Sequence, residues 1–307
     1  MIKRAQNRIA ESRATLPWTA VICLLIWLVG GVITHGWWLQ MGVAALAMVM
    51  MALLNNVNAL IRIYSRMISC SFIVLMTMTA YLWPQLPAGM VALAVTTFYL
   101  LLFQTYQDKR AMGMIFYAYA MLGIGSIFWV QLLWLVPVFW ILMATNILAF
   151  SGRTFFASIL GLVLPYWFLS GYYFLTGQIA MLGAHFADIL NVGPLFALKL
   201  LDLHHFVTIG FVFLLGILGI VHFLRNSYKD KIRIRMYYEA FIVVELVLMA
   251  AIIVFPKMAD PIMALLITTT APLIGHFLAL THTKLTNITF FVILVIVAAL
   301  TLYNICL

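Results

Sequence analysis

From Ala111 to Phe150 the chain runs 40 residues without an Asp, Glu, Lys or Arg. As one α-helix at 1.5 Å per residue, such a stretch would reach about 60 Å, twice the hydrocarbon thickness of a bilayer. It must therefore fold back on itself, and Trp129-Val130-Gln131 is the place where polarity permits a tight hairpin. The same logic, with apolar runs set against polar breaks, divides the rest of the chain. Spans are predicted near 17–34, 38–54, 68–83, 89–107, 111–129, 131–150, 154–174, 204–224, 236–255, 261–281 and 285–304. Composition agrees: 66% of residues are apolar and 8% charged, whereas soluble domains run near 45–50% and about 25%. Mean hydropathy is +1.14. The expected fold is an all-α integral membrane bundle of about eleven helices, one polytopic domain over residues 1–307, with no separate soluble domain.

The formal net charge of +9 would suggest a polyanionic partner in a soluble protein. Here loop position accounts for it, and no nucleic-acid partner is expected. With the N-terminus cytoplasmic, Lys3, Arg4, Arg8, Arg13, Arg62, Arg66, Lys109, Arg110, Arg153, Arg225, Lys229, Lys231, Arg233, Arg235 and Lys284 all fall inside. Only Lys199 and Lys257 fall outside. Missing or adding one early span would destroy this asymmetry, so it predicts both the count and an N-inside, C-outside orientation. The basic N-terminus ahead of an apolar run resembles a signal peptide, but residues Gly30 to His35 offer no A-x-A cleavage pattern, and the run is assigned as the first span. The charged connector 225–235 serves as a topogenic anchor, with a possible division into bodies 1–224 and 236–307.

Ionisable groups within spans are costly and face a cavity or a partner. Glu245 falls near the middle of the ninth predicted span, and Tyr238, seven residues earlier, shares its helix face. A carboxyl at that depth is neutral, paired or wetted; it either exchanges a proton or holds a neighbouring helix. His222, Glu239 and His276 lie at matching depths near the inner boundary on successive spans, which fits either a polar vestibule or three separate interface residues. Pro137, Pro165 and Pro272 fall inside predicted helices, and Thr268 to Thr270 are positioned to bond carbonyls that Pro272 frees. Gly123, Gly125, Gly216 and Gly219 suit close helix approach.

In NNVNALIRIYSR, helical spacing would place Asn55, Asn58, Arg62 and Arg66 on one stripe of a short amphipathic helix at the inner surface. Arginines one turn apart suit a phosphate or an anionic headgroup. The long outer connector, from Gly177 to Leu203, predicts a first short helix and a second begun by Pro194. Its polar residues are His185, Asp188 and Asn191, followed by Asp202, His204 and His205. His185 and Asp188 at i, i+3 with His204 or His205 would be the only metal set, and the spacing is too loose to assign one. No cofactor is expected. Cys23, Cys70 and Cys306 lie in different apolar stretches without metal or redox spacing, as buried thiols would.

Two stretches, MIFYAYAMLGIGSIFWVQLLWLVPVFWILMATNI from Met114 and GRTFFASILGLVLPYWFLSGYYF from Gly152, together with LLNNVNALIRIYSRM, resemble an uncharacterised family of polytopic bacterial inner-membrane proteins of about this length. That family pairs an I-F-x-A-G-like helix with an R-x-F-x-A-x-L-L-G-L-x-x-P-Y core; here Tyr119-Ala120 stands where the pattern calls for a glycine. The resemblance implies a bacterial inner-membrane, cell-envelope setting and carries no catalytic residue. The expected function is binding or moving an amphipathic, lipid-linked envelope component, with membrane lipids as partners. The alternatives are an outward-facing glycosyltransferase or polymerase resting on Asp188, Asp202 and Asp260, and a noncatalytic scaffold within a membrane-protein complex.

Overall fold

The computed structural model describes residues 4–306, so Lys3 of the basic set lies outside the described residues. Within them every regular element is helical. After α1 (Ala5–Glu11), α2 (Thr15–Trp27) continues through a π-turn at Leu28–Val32 into α3 (Ile33–His35). Then come α4 (Trp38–Asn58), α5 (Met67–Met78), α6 (Leu86–Phe103) and α7 (Met112–Phe128). The second half contains α8 (Val136–Thr145), α9 (Gly152–Leu175), α10 (Ala180–Ala187), α11 (Leu203–Asn226), α12 (Ile232–Val254), α13 (Ala259–Leu280) and α14 (Lys284–Ile305). Among the described residues, eight helical stretches are long and apolar enough to cross a membrane. Shorter apolar helices at Met67–Met78, Met112–Phe128 and Val130–Thr145 occupy three other predicted runs.

The hairpin expected in the uncharged run is present. Trp129 is extended, with φ −151° and ψ 99°, and Val130–Leu135 forms a 3-10 turn before α8. Pro137 therefore stands in the first turn of α8, where its missing N–H costs nothing, and not inside a span as expected. Pro165 and Pro272 do lie within α9 and α13. Ser151 and Thr154 close a capping box at the start of α9, which fixes where the chain re-enters the bundle.

The centre of the bundle is α13, packed against α5, α6, α11 and α12. Polar contacts between connectors fall into two sets. One joins the N-terminal segment to residues 278–287 (Gln6 to the Leu278 carbonyl, 2.8 Å; Asn7 to the Thr281 carbonyl, 2.9 Å), residues 59–66 to the 226–231 turn, and Lys109 to Ser151. The other joins Gln85 to Asp260, Gln131 to Asp188 and Lys257 to Asn191. The first set contains most of the arginines and is called the basic end below; the second is the far end.

Two predicted elements differ. The amphipathic helix over residues 55–66 does not form, because α4 continues through Asn58 and Ala59 turns into the left-handed region, φ 51°. Residues 60–66 are irregular, since the chain must reverse into α5 within a few residues. After Pro194 no second α-helix follows; Leu198–Leu200 makes a single 3-10 turn. Cys23 and Cys70 are buried, but Cys306 is exposed.

Candidate functional site

A groove runs along the bundle between α2, α5 and α14. It consists of two cavities of about 210 Å³ and about 440 Å³, which share Thr19, Val74, Leu294 and Val297 in their walls. Its lining extends along α14 from Phe290 to Ile305, about 22 Å of helix at 1.5 Å per residue. Two of the hydroxyls beside it point their protons into their own helices, Thr19 donating to the Thr15 carbonyl at 2.8 Å and Thr301 to the Val297 carbonyl at 2.7 Å, and Thr15 donates to the Ile9 carbonyl of α1 at 2.5 Å. The walls therefore offer the groove hydrocarbon. At the basic end, Thr15 and Met67 line it, and each is close in sequence to an arginine. The Arg13 and Arg66 guanidinium carbons lie 5.9 Å and 5.5 Å from the centre of the same ring, Tyr64, and Arg66 Nε donates to the Tyr64 hydroxyl at 3.3 Å. Two cations thus converge beside the end of an apolar channel.

The four residues of the expected stripe part company. Asn55 donates to the Ser65 carbonyl (2.9 Å), closing the α4–α5 turn, and Asn58 donates back within α4 to the Leu54 carbonyl (3.1 Å), so both are buried structural groups. Arg62 lies 3.6 Å from Asp230. Only Arg66 remains beside the groove, and its companion is Arg13, which the periodicity could not reveal because it belongs to another connector.

Behind this turn, Asp230 is engaged from two sides: Arg62 forms an ion pair with one oxygen at 3.6 Å, and His276 Nε2 hydrogen-bonds the other at 3.1 Å. The Asp230 side chain is 3% exposed. The His222 ring lies 5.5 Å from His276, and Tyr238 meets His276 edge-on at 4.8 Å while stacking on Phe223. His222 Nε2, His276 Nδ1 and the Tyr238 hydroxyl are buried without a protein hydrogen-bond partner, so this corner has polar capacity beyond what its own side chains use. The matching depths of His222 and His276 thus correspond to real proximity. Glu239 is not among them; it faces α8 and accepts from Asn146 at 3.2 Å. Asp230, the partner that organises the cluster, is the single acid in the basic connector, and that isolation was its only signal in the sequence.

Glu245 is wholly buried. It accepts from both Thr269 and Thr270, the latter at 2.6 Å, one hydroxyl on each carboxyl oxygen. The threonines ahead of Pro272 thus turn to α12. Thr268, the third of them, donates to the Leu265 carbonyl. Gly216 of α11 closes the third side, where a Cβ would stand 2.2 Å from Glu245 Oε1. Tyr238 packs with the histidine cluster, so the helix face it shares with Glu245 divides into two separate environments. Glu245 clamps three helices.

At the far end, His185 Nε2 meets the Tyr166 hydroxyl at 3.3 Å, and the Asp188 carbonyl accepts from Gln131. His204 and His205 belong to a different group, with Tyr81, Asp202 and Asp260. The metal set suggested by spacing is therefore split between two places.

Fold and composition define the class, an all-helical multi-pass membrane protein. Beyond that class no likeness is found: no family model, no curated protein and no solved structure matches the chain.

Proposed function

We propose that this protein is a bacterial inner-membrane binder or carrier of an amphipathic, lipid-linked anion of the cell envelope. The observation that carries the reading is the groove: an apolar channel about 22 Å long, about three-quarters of the roughly 30 Å hydrocarbon core, with two arginines gathered around Tyr64 at one end. A hydrocarbon chain fits the walls, and a phosphate-type head fits paired guanidinium donors. The basic end faces the cytoplasm, following the 15 to 2 distribution of basic residues. Eleven crossings put the C-terminus outside. The division of connector contacts into two sets supports that alternation, and reporter fusions at residues 230 and 307 test it; a cytoplasmic C-terminus overturns the count.

The lipid reading is tested by mass spectrometry of protein purified in mild detergent. Anionic lipid should be retained in stoichiometric amount. Arg13→Gln with Arg66→Gln should cut it more than tenfold, as expected for losing charge-assisted hydrogen bonds of about 1.5–3 kcal/mol. Val74→Trp should displace the chain by filling the groove. Undiminished lipid in the folded double arginine variant overturns the site.

A further inference from the structure

The far end contains a second constellation that the lipid reading does not use. Asp202 stands at the N-cap position of α11 without a side-chain capping bond, and His204 and His205 follow in the first turn. One ligating atom from each of the three lies within 4.8 Å of the others. His205 Nδ1 and Asp202 Oδ2 are 4.0 Å apart, and Nδ1 is buried without a hydrogen-bond partner. The other nitrogen of the same ring, Nε2, faces Asp260 Oδ1 at 3.3 Å. Asp260 is fixed in turn by Gln85, whose amide donates to its other oxygen at 2.5 Å. Tyr81 packs against both imidazoles, with ring centres 5.6 Å and 4.2 Å away.

This is the arrangement by which proteins prepare a histidine to bind a metal: one nitrogen held by a carboxylate, which fixes tautomer and ring plane, and the other left with its lone pair directed at the ligand position. A tetrahedral zinc-type ion holds its donors about 3.3 Å apart, so donors that lie 4.0 Å apart, and within 4.8 Å across the whole set, must close by about 1 Å. The ligand that has to move is Asp202, whose side chain is 77% exposed and free to do so. Two imidazoles and one carboxylate favour a borderline transition ion over magnesium or calcium, which take oxygen. Carboxylates at Asp202 and Asp260 offset the unfavourable positive ends of α11 and α13.

We propose that Asp202, His204 and His205 bind one divalent transition-metal ion of the zinc type at the far end of the bundle, with Asp260 as the residue that positions His205. Three protein ligands leave a fourth position for water or a donor atom of a bound molecule. The site is independent of the groove, which lies between α2, α5 and α14.

The test uses the full chain in detergent, stripped with a chelator and desalted after exposure to Zn²⁺ alone. Wild-type protein should retain one zinc per chain by elemental analysis, and Co²⁺ should give the visible absorption of a four-coordinate site. His204→Ala should abolish stoichiometric retention. Asp202→Asn, which places a residue that suits the N-cap position equally well, should weaken binding by about tenfold or more, and Asp260→Asn by about 10–100-fold with a shifted cobalt spectrum. His185→Asn should change nothing. Should His204→Ala fail to fold, Asp202→Asn decides the matter alone. Substoichiometric zinc in the wild type, or zinc affinity equal in wild type and Asp202→Asn, overturns the proposal.

Discussion

Two helices of similar length and apolar character, α9 and α13, are buried in opposite ways. Every residue of α13 from Ile262 to Leu280 is buried. Of the 24 residues of α9, only Thr154, Ser158, Gly161 and Pro165 are. Those four recur at helical spacing, and all are small, polar or both, while Phe156, Trp167, Phe168 and Tyr172 on the other faces are 60–73% exposed. In water this pattern would be inside out. In lipid the surroundings are as apolar as any side chain, so large hydrophobic residues gain little by turning inward, and close backbone approach decides which face packs. Burial in α9 follows smallness. Burial in α13 follows position, since α5, α6, α11 and α12 surround it, and it must satisfy Thr268, Thr269, Thr270 and His276 internally.

The comparison is broken most severely by removing what lets α9 approach α7. A Cβ on Gly161 would stand 2.3 Å from the Phe116 carbonyl oxygen, a backbone atom that cannot rotate aside. Gly161→Val should therefore separate α7 from α9 and cost about 3 kcal/mol or more of stability. Gly171, nearly three turns further along α9, has nothing within 4 Å of the equivalent position. Gly171→Val should leave unfolding within about 0.5 kcal/mol of wild type. Denaturant unfolding in detergent, read by tryptophan fluorescence, measures both. Equal losses would mean that α9 does not pack by its small stripe.

The same distinction explains what the sequence made legible. Helix positions could be read because Lys and Arg are confined to connectors, and the hairpin at Trp129 because 40 uncharged residues cannot be one helix. His222 and His276 could be paired because depth is counted from span ends. Rotation about the helix axis could not be read in the same way: Glu239 follows Tyr238 by one residue, which turns it about 100° toward Asn146 and away from the histidines. In soluble helices an apolar stripe fixes that rotation, and a helix apolar on every face has none. Asp230, Arg13 and Tyr64 escaped for a related reason, since they come from connectors that meet only in three dimensions. The stripe through Asn55 to Arg66 had correct helical spacing but lay across the point where α4 must end.

The subtler break lies inside α13, at the contact with Glu245. A carboxyl wholly enclosed among α11, α12 and α13 is tolerable only because each oxygen receives a hydroxyl, from Thr269 and from Thr270. Glu245→Leu removes both acceptors at once. Thr269 has a second acceptor within reach, the Leu266 carbonyl at 3.0 Å, whereas Thr270 would be left with a buried hydroxyl unpaired, and the expected loss is about 1–3 kcal/mol. Glu245→Gln retains one carbonyl oxygen for Thr270, and its amide donates to the Thr269 oxygen once that hydroxyl turns to Leu266, so less than about 1 kcal/mol should be lost. Thr270→Val combined with Glu245→Leu should then recover part of the single-variant loss, because it removes the unpaired hydroxyl itself. Denaturant unfolding of the three variants checks the order. If Glu245→Leu alone is as stable as wild type, the carboxyl is no clamp, and the contrast between a helix buried by its small face and one whose central position obliges it to satisfy its polar groups internally fails at this point.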